Sequence, residues 1–371
     1  TEKKYVDRIN IFGNTITRED FIRNQFIVDE GDPYNELLHN KSVNILKSKN
    51  IFADVKSEVI DSNESGFKTI NLTVEEKPTG EISVGAGYGT RGFQTGFTIK
   101  ENNFLGKGVK LVTDITYGSD SLSGQFSYTE PNFAYTDKSL TSSFASSKKD
   151  KLKNFGYENK TNSVSFSTAY EQYQDVFFSP SISLRHENLK TDSTASEQYK
   201  KQKGKFFDLT IPYGISYDKR DSPFQTKEGF ISRFNQEIPL ISSNPSLSNT
   251  YNFSKYFSFG NNFINNIDFY IKSINSVSGK DVRVSKRAGL AGNRLRGFEV
   301  GKIGPVDEDN FVGGNYAAAL NFESQMPNFL PELQNTDFNF FIDIANVWGV
   351  DYNDTLDDTG TIRSSIGVAV D

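Results

Sequence analysis

Lys110-Leu111-Val112-Thr113-Asp114-Ile115-Thr116-Tyr117 alternates along its length, with Leu111, Ile115 and Tyr117 on one face and Lys110, Asp114 and Thr116 on the other. A period of two marks a strand with one apolar side. The pattern recurs in Ser163 to Glu171, where Val164, Phe166 and Tyr170 alternate with serines, Ala169 and Glu171. From Glu81 onward such segments of roughly ten residues follow one another between clusters of Gly, Asn, Asp and Ser, which is the layout of a transmembrane antiparallel β-barrel. A soluble sandwich alternates too. The aromatic strand ends Tyr128, Phe133, Tyr135, Tyr173, Phe177 and Phe178 resemble interfacial girdles and favour the barrel.

About fourteen strands fit, beginning near residues 81, 93, 108, 121, 138, 161, 179, 206, 229, 251, 267, 316, 337 and 361. Short turns such as Gly106-Lys107 and Gly118-Ser119-Asp120 alternate with longer polar excursions at 148–160, 190–204 and 239–250. That asymmetry suits tight turns at one membrane face and loops at the other.

Composition agrees with this layout. Of 371 residues 36% are hydrophobic, yet there are 32 Phe and 17 Tyr, which fits one thin apolar layer better than a thick core. No apolar run is long enough for a membrane-crossing helix. The start, Thr1-Glu2-Lys3-Lys4-Tyr5, lacks the apolar core of a secretory signal and reads as a processed or trimmed chain. Absent cysteines remove disulfides and thiolate metal sites, and the lone His39 and His186 read as surface residues. A net charge of −6 opposes a nucleic-acid role.

Residues 1–78 have a different pattern. Tyr5 to Ile11 alternates as a strand and Gly13-Asn14 ends it. Thr17 stands where an N-cap would, with Glu19 and Asp20 in the first turn and Phe21, Ile22, Gln25 and Phe26 at helical spacing. A second helix is expected from Asn35 to about Lys49, burying Leu38, Ile45 and Leu46. Strands near Phe52–Ile60 and Phe67–Val74 complete a β-α-α-β-β order, a small α+β domain. Residues 79–371 then form the barrel.

Between two late strands lies a polar segment, Lys286 to Asn315, of neither period. A segment this long is functional or disordered. Its glycines, including Gly289, Gly297 and Gly304, and its apolar Leu290, Leu295, Phe298, Val300 and Ile303 predict that it folds back onto the barrel. In the following strands Leu320, Phe322 and Met326 share one face, as do Phe338, Phe340, Ile342 and Ile344, so Glu323 and Asp343 point inward. Two interior acids call for a cation, and Arg296 on the loop can bridge carboxylates.

Other candidates are weak. Gly85-Ala86-Gly87-Tyr88-Gly89 lies in a strand with no following helix, so it is no phosphate loop. Glycine in a strand weakens pairing and packing, so Ser83, Gly85, Gly87 and Gly89 mark a poor seam. Asp351, Asn353, Asp354, Asp357 and Asp358 lack the glycine and final glutamate of a calcium loop and read as solvated. No nucleophile or acid/base arrangement is visible, and the chain is read as a non-enzyme.

Arg296-Gly297-Phe298, Gly304-Pro305, Val312-Gly313-Gly314-Asn315 and Phe340-Phe341-Ile342-Asp343 with Asn346-Val347-Trp348 together resemble the BamA-type outer-membrane insertases. Gly13-Asn14-Thr15, Glu30-Gly31-Asp32-Pro33, Lys77-Pro78-Thr79-Gly80, Gly87-Tyr88-Gly89-Thr90 and Tyr217-Asp218-Lys219-Arg220-Asp221-Ser222-Pro223 fit as well. The resemblance spans the chain and implies that residues 1–78 are a POTRA domain, the last before the barrel. It also implies that Arg296, Glu323 and Asp343 match the family's loop arginine and wall acids.

Such proteins carry several POTRA domains and about sixteen strands, so the resemblance implies a fragment. It further implies insertion and folding of β-barrel proteins in a bacterial outer membrane, with the POTRA domain in the periplasm and no cofactor. Partners would be unfolded outer-membrane clients, accessory lipoproteins and outer-membrane lipid. Phe52, Val55 and Val59 mark the POTRA edge strand expected to receive extended clients. The alternative is an FhaC-like two-partner secretion pore or a TamA-like translocation pore, which the Lys77–Gly80 entry and the Val312–Asn315 segment oppose.

Overall fold

A computed structural model describes residues 3–89, 92–136, 138–151, 156–222, 226–259, 263–308, 310–326, 338–352, 356 and 360–370. Thr90, Pro223, Asn353, Asp354, Asp357 and Asp358, singled out above, lie outside them.

The N-terminal domain has the expected order: β1 (Tyr5–Phe12), α1 (Glu19–Arg23), α2 (Glu36–Ser48), β2 (Phe52–Asp61) and β3 (Phe67–Glu76). Its sheet runs β1-β3-β2, with β1 parallel and β2 antiparallel to the central β3. That leaves β2 at an edge. Phe52 and Val55 turn inward, into a core with Phe21, Ile22, Leu46, Leu72 and Val74, and Val59 packs against Ile70 and its neighbours. What β2 offers outward is therefore backbone.

Three local expectations are corrected. Thr17 is not the N-cap of α1, because its hydroxyl accepts from Asn103 Nδ2 at 2.8 Å, and the cap is Arg18, with no side-chain bond. α2 buries His39, Ser42 and Leu46, while Leu38 is more than a third exposed, so the helix is turned by about one residue from the expected face. His39 is consequently buried, with Nε2 3.1 Å from Ser57 Oγ and rings of Phe26 and Tyr34 beside it.

Glu76 ties the loop after β1 to the end of β3. Burial alone would raise its carboxyl, but the Thr15 and Thr17 side chains and the Thr17 and Ile16 N–H groups donate to it and hold it at about 2. Its stabilisation is thus complete above about 4.5, the unfolded value, and is lost as pH falls toward 2. We expect Glu76→Gln to cost on the order of 1–2 kcal/mol at neutral pH, after allowing for solvent screening. Denaturant titrations should show the gap to wild type closing between pH 4.5 and 2; a gap independent of pH would contradict the assignment.

Among the described residues, fourteen strands form the larger sheet. They are β4 (Gly80–Gly89), β5 (Gly92–Phe104), β6 (Val109–Gly118), β7 (Ser121–Glu130), β8 (Ser139–Lys151), β9 (Tyr157–Tyr173), β10 (Val176–Thr191), β11 (Gly204–Asp218), β12 (Gly229–Ser242), β13 (Ser246–Phe259), β14 (Phe263–Ser276), and after a small β15–β16 hairpin (Val306–Asp307, Asn310–Phe311) also β17 (Tyr316–Met326), β18 (Phe338–Trp348) and β19 (Arg363–Val370). Apart from that hairpin they neighbour one another in chain order, with β4 at one edge and β19 at the other. The expected excursions are shorter than the sequence suggests. Residues 239–250 are mostly the tip of the β12–β13 hairpin, and 190–204 holds a short helix, α3 (Glu197–Lys201), since polar residues facing water extend strands without breaking their period.

The chain divides into two compact units, one of residues 1–85, 96–115 and 124–143, the other of 86–95, 116–123 and 144–371. Within the first unit, α1 is fastened to strand turns: Arg18 N–H donates to Gly106 O at 2.8 Å, and Gln25 Nε2 to Asn132 Oδ1 at 2.8 Å. Gly108 has φ +63°, and a Cβ there would stand 2.1 Å from the Phe21 ring, so only glycine allows this approach.

Candidate functional site

The segment between β14 and β17 is ordered through its own packing. Leu290, Leu295 and Ile303 are buried with Ala317, Ala319, Ala345 and Val347 of β17 and β18, and Phe298 packs against the same cluster. The small alanines leave room for the loop on the inner face. Gly304, at φ +108°, lies so close to Val347 that a Cβ would meet its side chain at 2.8 Å.

At the centre stands Arg296. Its Nη1 donates to Glu323 Oε2 at 2.7 Å, its Nη2 to Asp343 Oδ1 at 2.7 Å and its Nε to Asp343 Oδ2 at 2.9 Å. The Arg296 N–H also donates to Asp343 Oδ2 at 2.9 Å, a geometry available because Gly297 takes φ +83° and turns the chain away. Asn321 Nδ2 adds a bond to Asp343 at 2.8 Å. Asp343 is thus fully buried with its charge answered from loop and wall, whereas Glu323 keeps a third of its side chain in contact with water. β17 and β18 place Asn321 opposite Asp343, which brings the cluster into one row.

Sequence reading missed a second anchor. Arg283, just before the segment, has a side chain with no exposure; Nη1 donates to Glu187 Oε2 of β10 at 3.0 Å and Nη2 to Asp208 of β11. Lys286 lies 3.3 Å from Asp208, and Ser242 Oγ donates to it at 2.5 Å. A third anchor follows at Arg287, which donates to Asn315 and Asp351. Asp351 also accepts from Val282 N–H at 2.6 Å, so this acid, read from sequence as solvated, holds the loop. The arginines at 283, 287, 294 and 296 each lie over an aromatic ring, of Phe206, Tyr352, Tyr270 and Phe341 respectively. Cation–π contact adds attraction that a lysine would reproduce poorly. The clue in the sequence was a charged residue inside apolar company, as in Val282-Arg283-Val284 and Phe207-Asp208-Leu209.

The other expected site residues stand apart. Ser83, Gly85, Gly87 and Gly89 belong to β4 at the sheet edge, where Ile82, Val84 and Tyr88 are more than two-thirds exposed. Phe52, Val55 and Val59 belong to β2 of the N-terminal domain.

An anchored loop on the inner face of a fourteen-stranded sheet, preceded by this α+β domain, directs comparison to one group. Residues 103–371 match the Omp85 superfamily domain. The chain belongs to the Omp85 superfamily. Residues 4–77 match the POTRA family, described as a surface antigen variable number repeat. Among curated Omp85-type relatives, the outer membrane protein assembly factor BamA of Neorickettsia risticii is 25% identical over the whole chain, and that of Neisseria meningitidis serogroup B is 23% identical over 95% of it. The chain spans about half the length of these relatives, 51% and 48%. The crystal structure of BamA from Haemophilus ducreyi lacking POTRA domains 1–3 shares the fold, with TM-score 0.82 at 23% identity over 99% of this chain and 78% of that one. CdiB from Acinetobacter baumannii is more distant, at TM-score 0.62 and 12% identity over all of this chain and 67% of that one. The resemblance read from the motifs is therefore to a shown family: an Omp85 barrel sheet with one POTRA domain in this chain.

Proposed function

We propose that this chain is the working part of an assembly factor that inserts and folds β-barrel proteins in a bacterial outer membrane. The observation that carries the reading is the whole-chain similarity to BamA assembly factors, joined to the Arg296–Glu323–Asp343 anchor on the motif positions. Clients would be unfolded outer-membrane proteins, met first by the POTRA domain on the periplasmic side. The free backbone of β2 can add an extended client as a further strand, a mode nearly blind to sequence. Accessory lipoproteins and the surrounding lipid complete the partner set, and no cofactor or enzymatic step is needed.

Insertion itself is assigned to β4. Its edge residues Ser83 to Gly89 give up side-chain packing at Gly85, Gly87 and Gly89, so whatever strand pairs there is held weakly. An opened β4 presents backbone donors and acceptors to lipid, where each unpaired group costs several kcal/mol, and a client strand relieves that cost by pairing. This supplies a driving force without ATP.

Depletion of the full-length protein in its own bacterium tests the class of function. Loss of many different barrel proteins from the outer membrane is the expected result. Loss of a single secreted partner, with the barrel proteins intact, would replace this reading with a two-partner secretion or translocation pore.

A further inference from the structure

The loop and its anchors leave part of the interior unfilled. A cavity of about 610 Å³ is lined by β9 to β14, and about half of its wall is polar. Hydroxyls of Ser167, Ser248 and Thr250 face it together with Arg233, Glu237 and Lys272. The strand register explains the grouping, since Thr250 stands opposite both Asn235 and Lys272, and Glu237 opposite Ser248.

The charges do not cancel. Glu237 is engaged by Arg185 at 3.7 Å. Asp218 is held by Arg220 through two bonds of 2.7 and 2.9 Å. Among the described residues neither Lys272 nor Arg233 has an ion-pair partner within 4.0 Å. In a chain with net charge −6, the charged residues lining this cavity are Arg233 and Lys272 against Glu237, which leave 2 − 1 = +1.

Neighbouring polar groups are satisfied among themselves: Tyr213 donates to Gln236, Gln236 to Asn249, and Ser181 to the Pro212 carbonyl. Among the described residues, the free donors thus include the two cations and nearby hydroxyls. Unmatched positive charge in a cavity partly shielded from water attracts anions more strongly than the same charge on an open surface. Ammonium, guanidinium and hydroxyl donors together fit the oxygens of a carboxylate or phosphate.

We propose that this cavity is an oxyanion site, held by Lys272 and Arg233, that takes a carboxylate or phosphate group. The group can come from a small soluble anion or from the acidic side chain of an extended polypeptide inside the barrel. The test uses the full-length protein in detergent micelles, with inorganic phosphate and a short aspartate-containing peptide as probes. Phosphate is titrated by phosphorus NMR line broadening and the labelled peptide by fluorescence anisotropy. At least one probe should bind wild type and Lys272→Arg, weaken with added salt, and bind roughly tenfold or more weakly to the folded double variant Lys272→Gln/Arg233→Gln. Phosphate binding without peptide binding assigns the small anion, and peptide binding that phosphate displaces assigns the polypeptide. If neither probe binds, or if the folded double variant binds as wild type does, the site is overturned.

Discussion

Arg283→Ala is expected to lower stability by about 3–5 kcal/mol, the range for removing one partner of a buried ion cluster. The side chain is wholly buried between Glu187 and Asp208, both almost without exposure, so its loss leaves Glu187 without its cation and Asp208 with Lys286 and Ser242, neither acid able to reach water. Lys286, the remaining cation at Asp208, cannot serve both acids. The temperature at which the folded barrel loses its compact electrophoretic mobility measures the effect. Neutralising the whole cluster with Glu187→Gln, Asp208→Asn, Arg283→Met and Lys286→Met should recover much of the loss, because the penalty comes from uncompensated charge. A variant as heat-resistant as wild type would show that the loop does not depend on this anchor.

Arg296→Ala should have the second largest effect, about 3 kcal/mol, at the low end of the same range because Glu323 can turn to water. Asp343 cannot, being fully buried and deprived of two of its side-chain donors. The loop should then exchange amide hydrogens faster from Leu290 to Val300, while protection at Val282 and Val284 persists through their bonds to Asp351 and Gln202. Arg296→Lys should behave nearly as badly, since one ammonium cannot reproduce the fork to both acids or the stack on Phe341. Unchanged exchange across the loop would remove Arg296 from its role as an anchor.

The strands were legible because lipid-facing and interior residues must alternate, and one register slip reverses the whole strand. Hence the starts of β7, β12 and β17 were placed at their observed residues, and the inward direction of Glu323 and Asp343 followed from Phe322 and Ile342. The short helix α1 starts where its first-turn acids Glu19 and Asp20 predict, but its cap does not, because the hydroxyl expected to cap it accepts from Asn103, a residue far away in the chain. His39 is buried although polarity suggests exposure, because tertiary packing under α2 hides it and brings Ser57 Oγ within reach of its Nε2. Arg283 escaped notice for a similar reason. Its two acids lie on β10 and β11, and nothing local links positions 187, 208 and 283 before the sheet is assembled. The Arg296 anchor was readable only because its acids sit on the two strands that follow the loop.

The seam mechanism is tested most directly by crosslinking at β4. The chain has no cysteine, so Ser83→Cys in the full-length protein gives a single reactive site in that strand. A client carrying one cysteine in its terminal strand should crosslink to it during assembly, and the crosslink should become unavailable once the client is released as a folded barrel. Efficient client insertion with no crosslink at any stage, or at a normal rate after β4 is locked by a disulfide to the strand that closes the barrel, would contradict insertion through this edge.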